Sequence, residues 1–106
     1  MKKILSNKKQ KILNLIEILL KENIYNSYYI NDVNRKLNKI LISLITDKNN
    51  ESNLLYKEIY YLTDKMAILA DTAIYSTTLE HINLSNHFSK EQNKLKILYD
   101  KLKEVS

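Results

Sequence analysis

The residues able to do chemistry are few. His81 and His87 are the only histidines among 106 residues, and there is no Cys. A metal site on helices needs further ligands on the same face, as in H-E-x-x-H or Glu-x-x-His. Neither pattern surrounds either histidine, so no metal is expected, and both read as polar residues near a helix–helix connection. Zero Cys removes thiolate nucleophiles, cysteine–zinc sites and disulfides. Zero Gly removes phosphate-cradling loops and the G-x-S-x-G nucleophile elbow. The carboxylates occur singly, each with a Lys nearby, as on a solvated face rather than as a general acid–base pair. No catalytic residue, no cofactor and no enzyme activity are expected.

Tyrosine is the unusual residue: there are 8, against one Phe. Tyr25, Tyr28 and Tyr29 flank a short break in the apolar pattern, Tyr56, Tyr60 and Tyr61 fall together, and Tyr75 and Tyr99 stand apart. Two readings are open. The rings can roof the ends of a helical bundle with their hydroxyls in water, or form a protein-binding patch, since Tyr is enriched at interface hot spots.

The charge balance is basic, with 17 Lys and Arg against 12 Asp and Glu, a net +5. Such a balance favours nucleic acid or an anionic membrane face. Arg35 is the only arginine, and Arg is the usual bidentate reader of phosphate and guanine. Nucleic acid is therefore not an expected partner, and the lysines read chiefly as a solvated surface. Lys2 and Lys3 imitate the start of a signal peptide, but only Ile4 and Leu5 follow before Ser6 and Asn7, so no apolar h-region is present. The most apolar stretch, residues 12–20, contains Asn14 and Glu17 and falls short of the roughly 20 apolar residues of a membrane span. A cytoplasmic location is expected.

The elements that must position these residues are helical. Gly and Pro are both absent and 44% of residues are hydrophobic, a composition that disfavours hairpin-rich sheets and disordered tails. Helix one is expected over residues 7–23, with Asn7 and Gln10 at capping-box spacing and Ile12, Leu15, Ile16, Leu19 and Leu20 on one stripe. Helix two is expected over residues 27–46, with Ile30, Val33, Leu37, Ile40, Leu41 and Leu44 inward. A polar turn follows at residues 47–50. Helix three starts near Asn50 or Ser52 and carries Leu55, Ile59, Leu62, Met66, Leu69 and Ala73 at steps of four and three; its end, toward His81, is not fixed by the pattern. Residues 83–87 read as the third connection. Helix four is expected to open on the Ser89-x-x-Gln92 capping box, with Glu91 complementing the dipole and Leu95, Leu98, Leu102 and Val105 inward. Four amphipathic helices with short links must share one core. The expectation is one all-α domain over residues 1–106, an antiparallel four-helix bundle.

The segment His87, Phe88, Ser89, Lys90, Glu91, Gln92, Asn93, Lys94, Leu95 resembles a segment of the pediocin-like (class IIa) bacteriocin immunity proteins. In those proteins a similar His-Phe-Thr stretch followed by Glu, Asn and Lys opens the last helix. Length, four helical stripes and a Lys-rich start are similar too. Family members often carry a C-terminal tail past that helix, whereas the sequence here stops at Ser106. The resemblance implies a cytoplasmic, non-enzymatic protector of a bacteriocin producer. It implies action from inside on the mannose phosphotransferase membrane complex with bound bacteriocin, and Lys90, Lys94 and Lys101 would favour peripheral contact with the anionic inner membrane. The residues it points to are the exposed ones of the C-terminal hairpin, namely His87, Lys90, Lys94, Tyr99 and Lys101. Two other classes stay open on the residues themselves, a small helical adaptor that pairs through its tyrosines and a nucleic-acid-binding regulator.

Overall fold

The computed structural model describes residues 2–46 and 53–104, and these form four α-helices. They are α1 (Lys2–Lys21), α2 (Ser27–Ile45), α3 (Asn53–Ile74) and α4 (Thr78–Glu104). The helices pack as a ring in which each touches its sequence neighbour and α4 closes on α1. Cross-links between them fix the directions. Lys8 near the start of α1 donates to Ser43 near the end of α2. Ser27 at the start of α2 donates to Asp71 near the end of α3; α3 and α4 are joined by only residues 75–77 and meet again at mid-helix through Lys65 and Glu91; and along α4 Gln92 reaches Leu19 and Glu22 at the end of α1 whereas Tyr99, further on, reaches back to Glu17. Every neighbouring pair is thus antiparallel, and the expected four-helix bundle is what the chain forms, 49 × 21 × 20 Å overall.

The core follows the apolar periodicity. Ile12, Ile16 and Leu19 of α1 meet Ile30, Val33, Leu37, Leu41 and Leu44 of α2, Ile59, Met66, Ala70 and Ala73 of α3, and Phe88, Leu95 and Leu102 of α4, all buried. Burying each large aliphatic side chain contributes about 1.5–3 kcal/mol before chain entropy is counted. On α3 the buried face is rotated from the expected stripe: Tyr56, Thr63 and Ala67 are inside, whereas Leu55 and Leu62 are half-buried at its edge. The alanines at 67, 70 and 73 explain the rotation, since small side chains let α3 lie close between α2 and α4. Thr63 tolerates burial because its hydroxyl donates to the Ile59 carbonyl at 2.9 Å.

Helix boundaries depart from the sequence expectations in two places. α1 extends back to Lys2, so Asn7 and Gln10 do not cap it; Gln10 instead donates to Asn14 one turn on. More consequentially, α4 begins at Thr78 rather than at Ser89. Residues 83–87 are helix and not a connection, and Ser89 and Gln92 lie in its interior. The cap is a different pair of residues. Glu80 N–H donates to Thr77 Oγ1 at 3.3 Å, and Thr77 N–H donates to Glu80 Oε2 at 3.0 Å, a reciprocal capping box. The expected starts of helix three at Asn50 or Ser52, the turn at residues 47–50 and the inward Val105 lie outside the described residues.

The connections are built without glycine, and no described residue has positive φ. In residues 22–26 the Asn23 side-chain oxygen accepts the Tyr25 N–H at 3.0 Å, an Asx turn that needs no left-handed backbone. In residues 75–77 the Ser76 hydroxyl donates to the Ala73 carbonyl at 2.9 Å, covering one of the orphan acceptors that end α3.

Candidate functional site

Four of the five sequence-predicted site residues fall on one stripe of α4. His87, Lys90, Lys94 and Lys101 are separated by three, four and seven residues, which keeps them on a single helical face, and all four are exposed. Asn83 and the exposed Ile97 complete the stripe at the same spacing. Tyr99 does not belong to it. It lies on the opposite flank of α4, is 7% exposed, and donates its hydroxyl to Glu17 of α1. Its expected place on an exposed binding surface is therefore corrected: at i+4 from Leu95 and i−3 from Leu102, position 99 is a core position, and its polar tip reaches out to Glu17. The Glu17 hydrogen bond, then burial and the charges of Glu17 and Asp100, hold the Tyr99 hydroxyl above its ordinary pKa.

A residue the sequence reading placed in a first turn sits at the centre of this region. Glu91 is 2% exposed. Its Oε1 lies 3.5 Å from Lys65 Nζ of α3, 3.4 Å from His87 Nε2 and 3.4 Å from Lys94 Nζ. A carboxylate withdrawn from water must be compensated by partners, and here the partners come from two helices. The functional consequence is that Lys65, His87 and Lys94 are gathered over one buried anion and held in place. The signal was present in the sequence: Phe88, Glu91, Leu95, Leu98 and Leu102 step by three and four, so Glu91 occupies a position of the apolar stripe.

Gln92 is the second residue assigned a wrong task. Its Nε2 donates to the Leu19 and Glu22 carbonyls at 3.0 and 2.8 Å. It caps the C-terminal end of α1 from another helix rather than the N-terminus of its own.

Around the α4 stripe the surface is concave. A pocket of about 480 Å³ is lined by Lys65, Asn83, Asn86, His87, Lys90 and Lys94, over Glu91. Beside it a shallower groove of about 490 Å³ runs between α3 and α4, with Tyr61, Leu62, Ile97 and Leu98 as its apolar floor and Glu58 at its edge. The face thus combines a cationic pocket with an apolar slot, suited to a segment that carries acidic and apolar side chains side by side.

The other histidine and the tyrosines have separate places. His81 is half-buried in α4 and stacks on Tyr25 of the first connection, with ring centroids 5.4 Å apart. Both histidines therefore lie within a helix and not at a connection. Tyr25, Tyr28, Tyr29, Tyr61 and Tyr75 are exposed, Tyr60 is half-buried, and Tyr56 and Tyr99 are buried. The tyrosines form no single patch, since Tyr61 lies along the α3–α4 face and Tyr25, Tyr28, Tyr29 and Tyr75 lie at the end of the bundle with the first and third connections.

Among the described residues, no group of three or more His, Cys, Asp or Glu is placed to hold a metal ion, and no helix is long and apolar enough to cross a membrane. The 87–95 segment that carries the resemblance to bacteriocin immunity proteins lies in the middle of α4, so the likeness is one of residue order and not of a helix start. Set against protein-family models, curated proteins and solved structures, the chain matches none.

Proposed function

We propose that this chain is a non-enzymatic binding protein that works as a cytoplasmic immunity protein against a pediocin-like bacteriocin. In this reading the α3–α4 face docks on the inner side of a mannose phosphotransferase membrane complex occupied by the peptide and stops its lethal open state. The observation that carries the reading is the exposed α4 stripe of His87, Lys90, Lys94 and Lys101 beside an apolar groove. Lysines on such a face also favour the anionic inner leaflet, by about 1 kcal/mol each near the surface. The antiparallel bundle and the 87–95 residue order agree with the same reading.

The test is protection of living cells. Expressed in a bacteriocin-sensitive strain, the protein should raise the dose of at least one pediocin-like peptide needed to kill, and only where the receptor complex is present. Lys90→Glu with Lys101→Glu should weaken protection with little change in melting temperature, since both side chains are exposed and the ion pairs of Glu91 are with Lys65, His87 and Lys94. Lys94→Glu is unsuitable, because it would set a second carboxylate against the buried Glu91. Killing at the same dose as empty-vector cells, across a broad panel of such peptides, would remove the reading.

A further inference from the structure

We propose that the chain forms a two-fold dimer through the outer face of α3. Leu54, Tyr61 and Ile68 recur every seven residues on this helix and are 71%, 69% and 59% exposed. The opposite face of α3 supplies the bundle core, so this is a second apolar stripe on a helix that already has one. Sevenfold spacing is the repeat by which one helix seats side chains between those of another. Ile97 of α4, also exposed, borders the same surface beside Tyr61.

Charge selects the occupant. The chain is basic overall, and α1, α2 and α4 each carry more cations than anions; α3 alone does not, with Lys57 and Lys65 against Glu58, Asp64 and Asp71. It is therefore the helix closest to charge balance outside the basic surface, with a single excess anion, and the arrangement of its charges decides whether a second copy is attracted. The flanks of the stripe are self-complementary as well. With two α3 helices antiparallel and Tyr61 on the two-fold axis, Leu54 of one copy faces Ile68 of the other. On one flank Glu58 then faces Lys65 of the second copy, which it would share with Glu91, and on the other Lys57 faces Asp64, whose carboxylate also accepts from Asn34. Symmetry repeats each pair, so the four pairs are all attractive.

The size fits a dimer. Twenty-two residues of helix are about 33 Å long, and the bundle is 21 × 20 Å in section. At a width of ~10 Å, α3 alone presents roughly 330 Å², so with the bordering edge of α4 the contact lies below the ~800 Å² per partner of a standard specific interface and fits a concentration-dependent dimer. Dimerisation on α3 covers Tyr61 and Ile97 of the apolar groove and leaves His87, Lys90 and Lys101 of α4 at the rim, so the dimer and a partner docked in that groove exclude one another, while the basic stripe stays open in both.

Sedimentation velocity and disulfide trapping test it, aided by the absence of native Cys. At tens of micromolar the wild type should sediment at twice 12.6 kDa, and Tyr61→Glu should sediment as a monomer with unchanged helicity. Ile68→Lys provides a second disruption should Tyr61→Glu lose structure. Lys57→Glu should weaken association by about tenfold, and adding Asp64→Lys should restore it. A mixture of Leu54→Cys and Ile68→Cys chains should cross-link between the two variants faster than either links to itself. A wild type that stays monomeric near millimolar concentration, a dimer indifferent to both Tyr61→Glu and Ile68→Lys, or self-linking of Leu54→Cys as the dominant product would overturn the proposal.

Discussion

The start of α4 can be decided by two alanine substitutions whose effects differ in sign. Thr77 Oγ1 accepts the Glu80 N–H, one of the four amide donors that a helix start leaves without an intrahelical partner. Thr77→Ala removes that acceptor and should cost about 1 kcal/mol. Unfolding entropy near 2.1 cal/mol/K per residue comes to roughly 220 cal/mol/K for a chain of this length, so 1 kcal/mol lowers the melting temperature by about 4–5 °C. Ser89 is exposed in the interior of α4 and makes no cap; Ser89→Ala should raise stability by a few tenths of a kcal/mol through helix propensity, or about 2 °C. The first turns of α4 expose Leu79 and Ile82, so part of the Thr77→Ala loss can be taken up by fraying of those turns alone. Thermal circular dichroism should therefore be paired with amide exchange over residues 81–85, where 1 kcal/mol of local opening reads as about fivefold faster exchange. A loss near 1 kcal/mol at Ser89 with none at Thr77, by either measurement, would mean that the helix starts at Ser89 and that the capping box at residues 77–80 is wrong.

Three further outcomes follow from the packing. Leu95→Ala, at a fully buried site, should cost about 2–5 kcal/mol in denaturant unfolding, and Leu62→Ala, half-buried at the edge of α3, clearly less; equal costs would contradict the rotated face of α3. Glu91→Leu should leave stability unchanged or raise it by up to roughly 4 kcal/mol, because a hydrophobic side chain suits the stripe and Lys65 and Lys94 can return to water; a loss above about 1 kcal/mol would show that the ion cluster holds the helices together. Tyr99 has a folded pKa raised above the unfolded value of about 10, so its contribution is fully present below that value and is lost as pH rises through the folded pKa. The stability gap between wild type and Tyr99→Phe should thus be flat up to about pH 10 and shrink above it, and a gap that grows in alkali would contradict the Glu17 hydrogen bond.

Legibility in the sequence was uneven for physical reasons. The limits of α2 were readable because Ile30 to Leu44 present one stripe that the core uses almost unchanged. The start of α4 was not, because Ser89-x-x-Gln92 and Thr77-x-x-Glu80 carry the same local pattern, and what separates them is tertiary. Residues 79–86 show no stripe, since that part of α4 runs past Lys21, the last residue of α1, and has less to pack against. The basic face was legible as spacing, because residues 87, 90, 94 and 101 share a helical phase. Its organisation was not, for Glu91 is held partly by Lys65 from another helix, and no local rule pairs positions 26 residues apart. Tyr99 is expected on the exposed hairpin face from the resemblance, whereas its phase with Leu95 and Leu102 puts it inside.

The Gln92 bridge bears on how the chain comes to be folded during synthesis. Gln92 donates to backbone carbonyls at the end of α1, 73 and 70 residues upstream, and Tyr99 reaches Glu17 across 82. A ribosome releases α1, α2 and α3 before either residue emerges, so the early helices can pair only as an open sheet of three, with the last turn of α1 left to water. Joining the two edges of that sheet is the contact of greatest sequence separation, and it waits for the final stretch of chain. Closure of the ring is then the natural commitment step of folding, and nascent chains halted before Ser89 should be the form that proteases and chaperones meet.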